Sequence, residues 1–300
     1  LSVVAFALVL RALTTACTDA LHHAVRHALP AGAALGALAA VHRRMLLPAL
    51  VVLLVVALWG AIERRPWSVV VAVGGFAVLV LAAGLLDGHL ERHVWAGEPV
   101  DIEMGSKAAG LRTWQGASST LAAAVGQVWY LLVASVGLVG LAVVACLERF
   151  RAPSRLDGRG WFCVALLGAL GALVVVSAVF VGSATHQAEY LVYGRYPEVL
   201  SPLLIGIGFG WVATTSRRRL VAGAAGVVLA TVGSWFVVAQ LNREWLSHSM
   251  NRVVVPGVVD WVLADPDLAP LLRCTLFAVV AVALAVGLQL WSPIRRRPIV

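Results

Sequence analysis

The chain is a succession of long apolar runs separated by short polar ones, and no other property constrains its fold so strongly. A helix needs roughly 20 apolar residues to cross the hydrocarbon core of a bilayer. Seven runs approach or exceed that length: Met45–Ile62, Trp67–Leu86, Leu121–Leu147, Trp161–Ser183, Leu200–Thr215, Leu220–Leu241 and Leu271–Trp291. Ala24–Val41, rich in alanine and glycine, and the opening Leu1–Cys17 are weaker candidates. Ten-residue stretches of alternating hydropathy, the mark of a membrane barrel, are missing. With 61% hydrophobic and 13% charged residues, the chain lacks the polar exterior that a water-soluble core of this size requires. The expected fold is all-α: residues 1–300 as one integral membrane domain, a polytopic transmembrane helical bundle of about eight segments with outward-facing loops at 87–118 and 242–270.

Charge placement sets the expected orientation. The net charge of +8 comes from arginines in short clusters between apolar runs, which is the positive-inside pattern and not a continuous basic face for nucleic acid. Glu148–Gly160, Arg217–Arg219 and Arg295–Arg297 together hold ten arginines and two acids, so they are assigned to the cytoplasm, as is the C-terminus. The intervening stretches Asp87–Ser118, Ala184–Val199 and Asn242–Pro270 carry more acids than bases and are assigned outward. The expected location is a cell membrane, multi-pass. Four cysteines (Cys17, Cys146, Cys163, Cys274) lie in or beside apolar runs without metal-like spacing and read as buried thiols. The chain begins at Leu1 with an interrupted apolar segment and no basic n-region, which reads as a chain whose N-terminal part is missing.

One cluster breaks the charge rule. If Glu63-Arg64-Arg65 is inside and Met45–Ile62 crosses, then His42-Arg43-Arg44 is outside. Either Met45–Ile62 is a half-helix opened by Pro48, or the bias is broken, or the cations face outward to meet an anion. Arg195, in the outward stretch "EYLVYGRYPEVLSP", raises the same question; it can pair with Glu189 or Glu198, or bind a ligand. Tyr190, Tyr193 and Tyr196 stand where interface anchors would.

The outer loops hold the other candidate groups. Asp101 and Glu103 can present two carboxylates on one side of an extended segment, suited to a base or a divalent cation, though no cation is expected on this pattern alone. "HLERH" puts His89 and His93 four residues apart, on one helix face, but the glutamate is misplaced for a zincin signature and no metal site is assigned. Trp95 and Trp114 read as interface anchors, or as aromatic faces for a sugar or lipid head group. Gln127, a single polar group within an apolar run, reads as a helix–helix hydrogen bond.

The segments "AAVHRRMLLPALVVLL" (Ala39–Leu54) and "LVYGRYPEVLSPLLIGIG" (Leu191–Gly208) resemble the integral-membrane glycosyltransferases of the GT-C superfamily and their actinobacterial relatives, over about half the chain. The resemblance implies a helical protein working at the outer membrane face, with a polyprenyl-phosphate-linked sugar as donor and a lipid, glycan or protein as acceptor. It also implies donor-phosphate binding by His42, Arg43, Arg44 and Arg195, since guanidinium offers a planar, permanently charged fork. The family's acidic residue in the first outer loop has no counterpart beyond Asp19, so the catalytic acid is expected to lie outside these residues. The alternatives are a transporter- or flippase-like protein, or a structural membrane subunit without catalysis. Ionisable groups or broken helices at mid-depth would mark the transporter.

Overall fold

The structure is a computed structural model, and it describes residues 1–15, 20–41, 45–93, 109, 111–150, 157–182, 197–241 and 269–291. Among these residues every regular element is helical: α1 (Ser2–Thr15), α2 (Leu21–Val41), α3 (Leu46–Ile62), α4 (Pro66–His93), α5 (Trp114–Ala134), α6 (Leu138–Phe150), α7 (Gly158–Gly182), a 3-10 turn (Pro197–Leu200), α8 (Ser201–Thr214), α9 (Arg217–Leu241) and α10 (Ala269–Trp291). Six helices, α2, α4, α5, α7, α9 and α10, are long and apolar enough to cross a membrane; α1, α3 and α8 are shorter apolar helices. The described residues are thus those of a helical membrane protein, with six helices of spanning length where about eight segments were expected. The most apolar window of α4 has a mean hydropathy of 2.7, yet only 17% of it is buried. Val70, Val78, Leu81 and Leu85 point outward from it, an arrangement that suits lipid and not water.

The chain forms two compact units, Leu1–Glu103 with Cys146–Val176, and Met104–Ala145 with Ser177–Val300. In the first, α2 carries a small residue at every fourth position: Ala24, Ala28, Gly32 and Gly36, all buried. α4 buries Ser68, Ala72 and Phe76 at the same spacing. A Cβ on Gly32 would fall on the backbone of Ala72, and one on Gly36 would stand 2.7 Å from the Phe76 carbonyl oxygen. Small residues let two backbones approach this closely, which is how helices associate where lipid removes the hydrophobic drive. Residue 32 meets 72 and 36 meets 76, so α2 and α4 run parallel.

Parallel neighbours require α3 to return between them, and it does so as one unbroken helix from Leu46 to Ile62. Pro48 lies in its first turn, where a missing N–H leaves no bond unmade. Pro48 therefore does not break the Met45–Ile62 run, although α3, at 17 residues, is shorter than the six helices long enough to cross. α3 closes with Glu63 N–H donating to Trp59 O at 2.8 Å and Arg65 N–H to Gly60 O at 2.6 Å. Arg64 takes φ 55° between them, the left-handed position usually given to glycine.

The second unit corrects the expected Leu121–Leu147 span. That run is two helices, α5 and α6, separated by Ser135-Val136-Gly137. Val136 and Gly137 have φ of 52° and 78°, and two successive left-handed residues cannot continue a right-handed helix. Ser135 serves both ends: its hydroxyl donates to Leu131 O at 2.6 Å and accepts from Val139 N–H at 3.2 Å. A Cβ on Gly137 would meet Val282 and lie 3.3 Å from Val227, so the break sits against the middle of α10 and α9. Hydropathy could not reveal it, because the residues on both sides of the break are equally apolar.

A β-branched residue in the left-handed region is strained by about 1–2 kcal/mol. Val136→Gly is expected to raise stability by about 1 kcal/mol, part of the relief being offset by glycine's greater freedom when unfolded. Thermal unfolding in detergent would check this; no gain would mean that the Val136 side chain contributes packing of equal size.

Candidate functional site

The site is built on the core-facing stripes of the second unit. α9 turns Val227, Thr231, Ser234 and Val238 inward, and α10 turns Leu271, Thr275, Ala278 and Val282, all at three- and four-residue spacing and all buried. Facing them, α5 buries Gln127, Trp129, Tyr130 and Val133. Trp129, Tyr130, Val133, Val238, Leu271, Cys274 and Ala278 form one packed cluster, with Trp235 against it.

Polar atoms inside this apolar setting must find partners. Trp129 Nε1–H donates to Thr275 Oγ1 at 2.9 Å, and that hydroxyl donates to Leu271 O at 2.8 Å. Thr231 donates to Val227 O at 2.8 Å and Ser234 to Ala230 O at 2.7 Å. Tyr130, fully buried as a ring, donates its hydroxyl to Glu198 Oε1. Glu198 lies in the first turn of the 3-10 segment Pro197–Leu200 that leads into α8. Pro197 and Pro202 preset φ on either side of the turn, and Leu200 is buried beneath it. Glu198 is the single carboxylate among the described residues of this unit.

Three groups among the described residues of this unit do not follow the rule, the Ser177 hydroxyl on α7 among them. Gln127 is fully buried, yet neither its amide nitrogen nor its oxygen has a partner among the described residues, and the indole N–H of Trp235 is likewise unpaired. Gln127 stands one helical turn from Tyr130 along α5. The helix–helix hydrogen bond expected of Gln127 is not made among the described residues. An unsatisfied amide inside a bundle costs about 1–3 kcal/mol. Gln127→Leu, close in volume, is therefore expected to raise the unfolding temperature in detergent. A fall would show that the amide has a structural partner.

Of the residues singled out from the sequence, Glu198, Gln127 and Cys274 have described positions in this site. His42, Arg43, Arg44, Asp101, Glu103, Glu189, Tyr193, Arg195 and Tyr196 lie outside the described residues. Tyr130, Trp129, Thr275 and Trp235 were not singled out in advance; an aromatic pair in an apolar run carries no sequence signal until its hydroxyl and N–H are seen to find partners. Arg273, in the first turns of α10, is exposed two residues from Thr275, and supplies a cation at the Glu198 end. The long stretch Asp87–Ser118, expected to face outward, is helical at both described ends, since α4 continues to His93 and α5 starts at Trp114 behind a Thr113 cap, whose Oγ1 accepts from Gly116 N–H at 3.1 Å.

His89 and His93 share a helix face as their spacing predicts. Their rings stack at 4.3 Å, and His93 Nδ1–H donates to His89 O at 2.9 Å. Among the described residues no group of three or more His, Cys, Asp or Glu side chains is placed to hold a metal. Cys146, Cys163 and Cys274 are free thiols. A groove lined by Phe209, Val212, Ala213, Ala285, Leu288, Gln289 and Trp291, of about 600 Å³, lies between α8 and α10; its walls are almost wholly apolar and offer no reacting group.

No protein-family model matches the chain, and no solved structure matches it. Sensory rhodopsin-1 of Halobacterium sp. (strain SG1) is 30% identical to it over 151 residues, which is 50% of this chain and 54% of that protein. The chain thus spans about half the length of the curated relative it matches.

Proposed function

We propose that the protein is a membrane glycosyltransferase-like protein that engages a polyprenyl-phosphate-linked sugar at the Glu198 end of its second unit. The observation that carries this reading is the Tyr130–Glu198 pair beside an unpartnered Gln127. A carboxylate held in place by a phenol accepts hydrogen bonds from sugar hydroxyls, and a buried amide offers both a donor and an acceptor to the next hydroxyl. Trp235 adds an aromatic face and a free N–H, the amphipathic pairing that suits a sugar ring. Arg273, on the exposed side of α10, can meet the phosphate while the polyprenyl chain runs in lipid along the helix. The segment that resembles the GT-C glycosyltransferases, Leu191–Gly208, contains the Glu198 turn. The reading concerns donor binding. It assigns the catalytic acid to none of the described residues.

The test is binding of a polyprenyl-phosphate sugar to the protein in nanodiscs, with polyprenyl phosphate lacking the sugar as comparison. Saturable binding that depends on the sugar and weakens in Glu198→Gln supports the reading. Binding that ignores both the sugar and Glu198 sinks it.

A second reading is favoured by the break at Ser135–Gly137. Non-helical backbone midway through a bundle is tolerated where it faces protein or a polar path, and broken helices mark the sites of many transporters. On this reading the same outer site loads a lipid-linked or polar substrate for passage. Translocation of a labelled lipid-linked sugar across sealed proteoliposomes, without its transfer, would favour the conduit over the enzyme.

A further inference from the structure

A second cluster lies at one end of the first unit and owes nothing to the site above. α2 opens with His22, His23, Arg26 and His27, and α1 brings Arg11 from across the hairpin, within electrostatic reach of His27 along with Arg26. The His22 and His23 ring centroids are 4.4 Å apart, and the His23 and His27 rings stack at 6.3 Å. The α2–α4 pairing of 32 with 72 sets the turn Glu63–Arg65 level with the start of α2. Arg65 lies against the Trp59 ring, its guanidinium carbon 5.9 Å from the centroid.

The polar atoms here are oddly idle. Nδ1 of His23, Nδ1 of His27 and Nη1 of Arg65 are all buried and have no hydrogen-bond partner among the described residues. Three unpaired nitrogens set level with one another, among cations and at the positive end of a 21-residue helix, form the complement of an anion. The first α7 turn also reaches this end, where a Cβ on Gly158 would meet the Leu13 carbonyl. Its acid is engaged, because Asp157 Oδ1 accepts from Gly160 N–H at 2.7 Å. Glu63 is a further carboxylate level with the cluster, and Glu148 closes α6 beside the start of α7. Cations outnumber acids here, so a bound anion would relieve repulsion as well as satisfy donors.

We propose that this end of the first unit is a binding site for a phosphate group, held by His23, His27 and Arg65 with Arg11 and Arg26 around them. A tetrahedral oxyanion presents several acceptors to donors from different directions, and guanidinium favours phosphate through paired N–H bonds. The phosphate can belong to an anionic lipid headgroup or be free in solution, and the two sources are separable by experiment.

The full chain, purified in a phosphate-free sugar detergent, would be titrated with short-chain phosphatidic acid in one arm and inorganic phosphate in the other. Native mass spectrometry and thermal shift would read the result. One saturable equivalent is expected in at least one arm, and that arm names the source. Binding should weaken about tenfold or more in the His23→Gln/His27→Gln double variant and separately in Arg65→Gln, as expected for losing charge-assisted bonds. Arg218→Gln, in the second unit, should leave it unchanged. If one variant does not fold, the other decides alone. The absence of saturable binding in both arms, or equal binding by wild type and the folded variants, overturns the proposal.

Discussion

Replacing Glu198 with glutamine is expected to weaken binding of a polyprenyl-phosphate sugar by about 10- to 100-fold while leaving the protein folded. A hydrogen bond to a charged group contributes about 1.5–3 kcal/mol, and each 1.4 kcal/mol is a factor of ten. Glutamine keeps a carbonyl oxygen that can accept from the Tyr130 hydroxyl, so the turn at Pro197–Leu200 keeps its anchor while the charge is lost. Glu198→Ala goes further, because it leaves a buried phenol with one acceptor fewer, at a cost of about 1–3 kcal/mol. Tyr130→Phe completes the comparison: it frees the carboxylate without removing it, so the protein should still bind donor, though with a less ordered carboxylate. Titration calorimetry in nanodiscs beside thermal unfolding separates the two effects. Equal binding by wild type and Glu198→Gln would mean that the pair is purely a structural tether for α8.

The largest structural effect is expected at Gly32. Valine there puts a Cβ into the Ala72 backbone, and backbone cannot move aside as a side chain can. α2 and α4 would have to separate along their shared stripe, at a cost on the order of 3 kcal/mol. Gly84 on α4 supplies the control, since a Cβ there meets nothing within 4 Å. Gly84→Val adds a methyl-bearing side chain on an open face and should change stability by less than about 1 kcal/mol. Unfolding temperature and limited proteolysis of both variants in detergent would check the pair. Similar behaviour of Gly32→Val and Gly84→Val would mean that the α2–α4 seam is looser than its backbone contact implies.

Much of the fold was legible in advance because hydropathy is a local property. Nearly every expected span has a helix within a few residues of its place, from Met45–Ile62 as α3 to Leu271–Trp291 as α10. The exception, Leu121–Leu147, is instructive. Ser135, Val136 and Gly137 each occur in unbroken membrane helices, and what stops the helix is a pair of left-handed residues wedged against Val227 and Val282. Those partners are about a hundred residues or more away in the chain, so no window of sequence holds the cause. The candidate site was legible to a lesser degree. Glu198 stood out as an acid in a stretch expected to face outward, whereas its partner Tyr130 looked like one more aromatic in a lipid-facing run.

What the sequence alone determined is the class of protein: a helical chain for lipid, with cations gathered into short clusters between its apolar segments. The physical reason is that lipid offers no hydrogen bonds, so each apolar run must satisfy its backbone within itself, and only a helix does so. The tertiary structure decided the parallel register of α2 on α4, the break between α5 and α6, and the meeting of Trp129 with Thr275 across 146 residues. Those outcomes turn on contacts a single Cβ would spoil and on polar atoms seeking partners far along the chain. Such selection is made between helices, after each one has already formed.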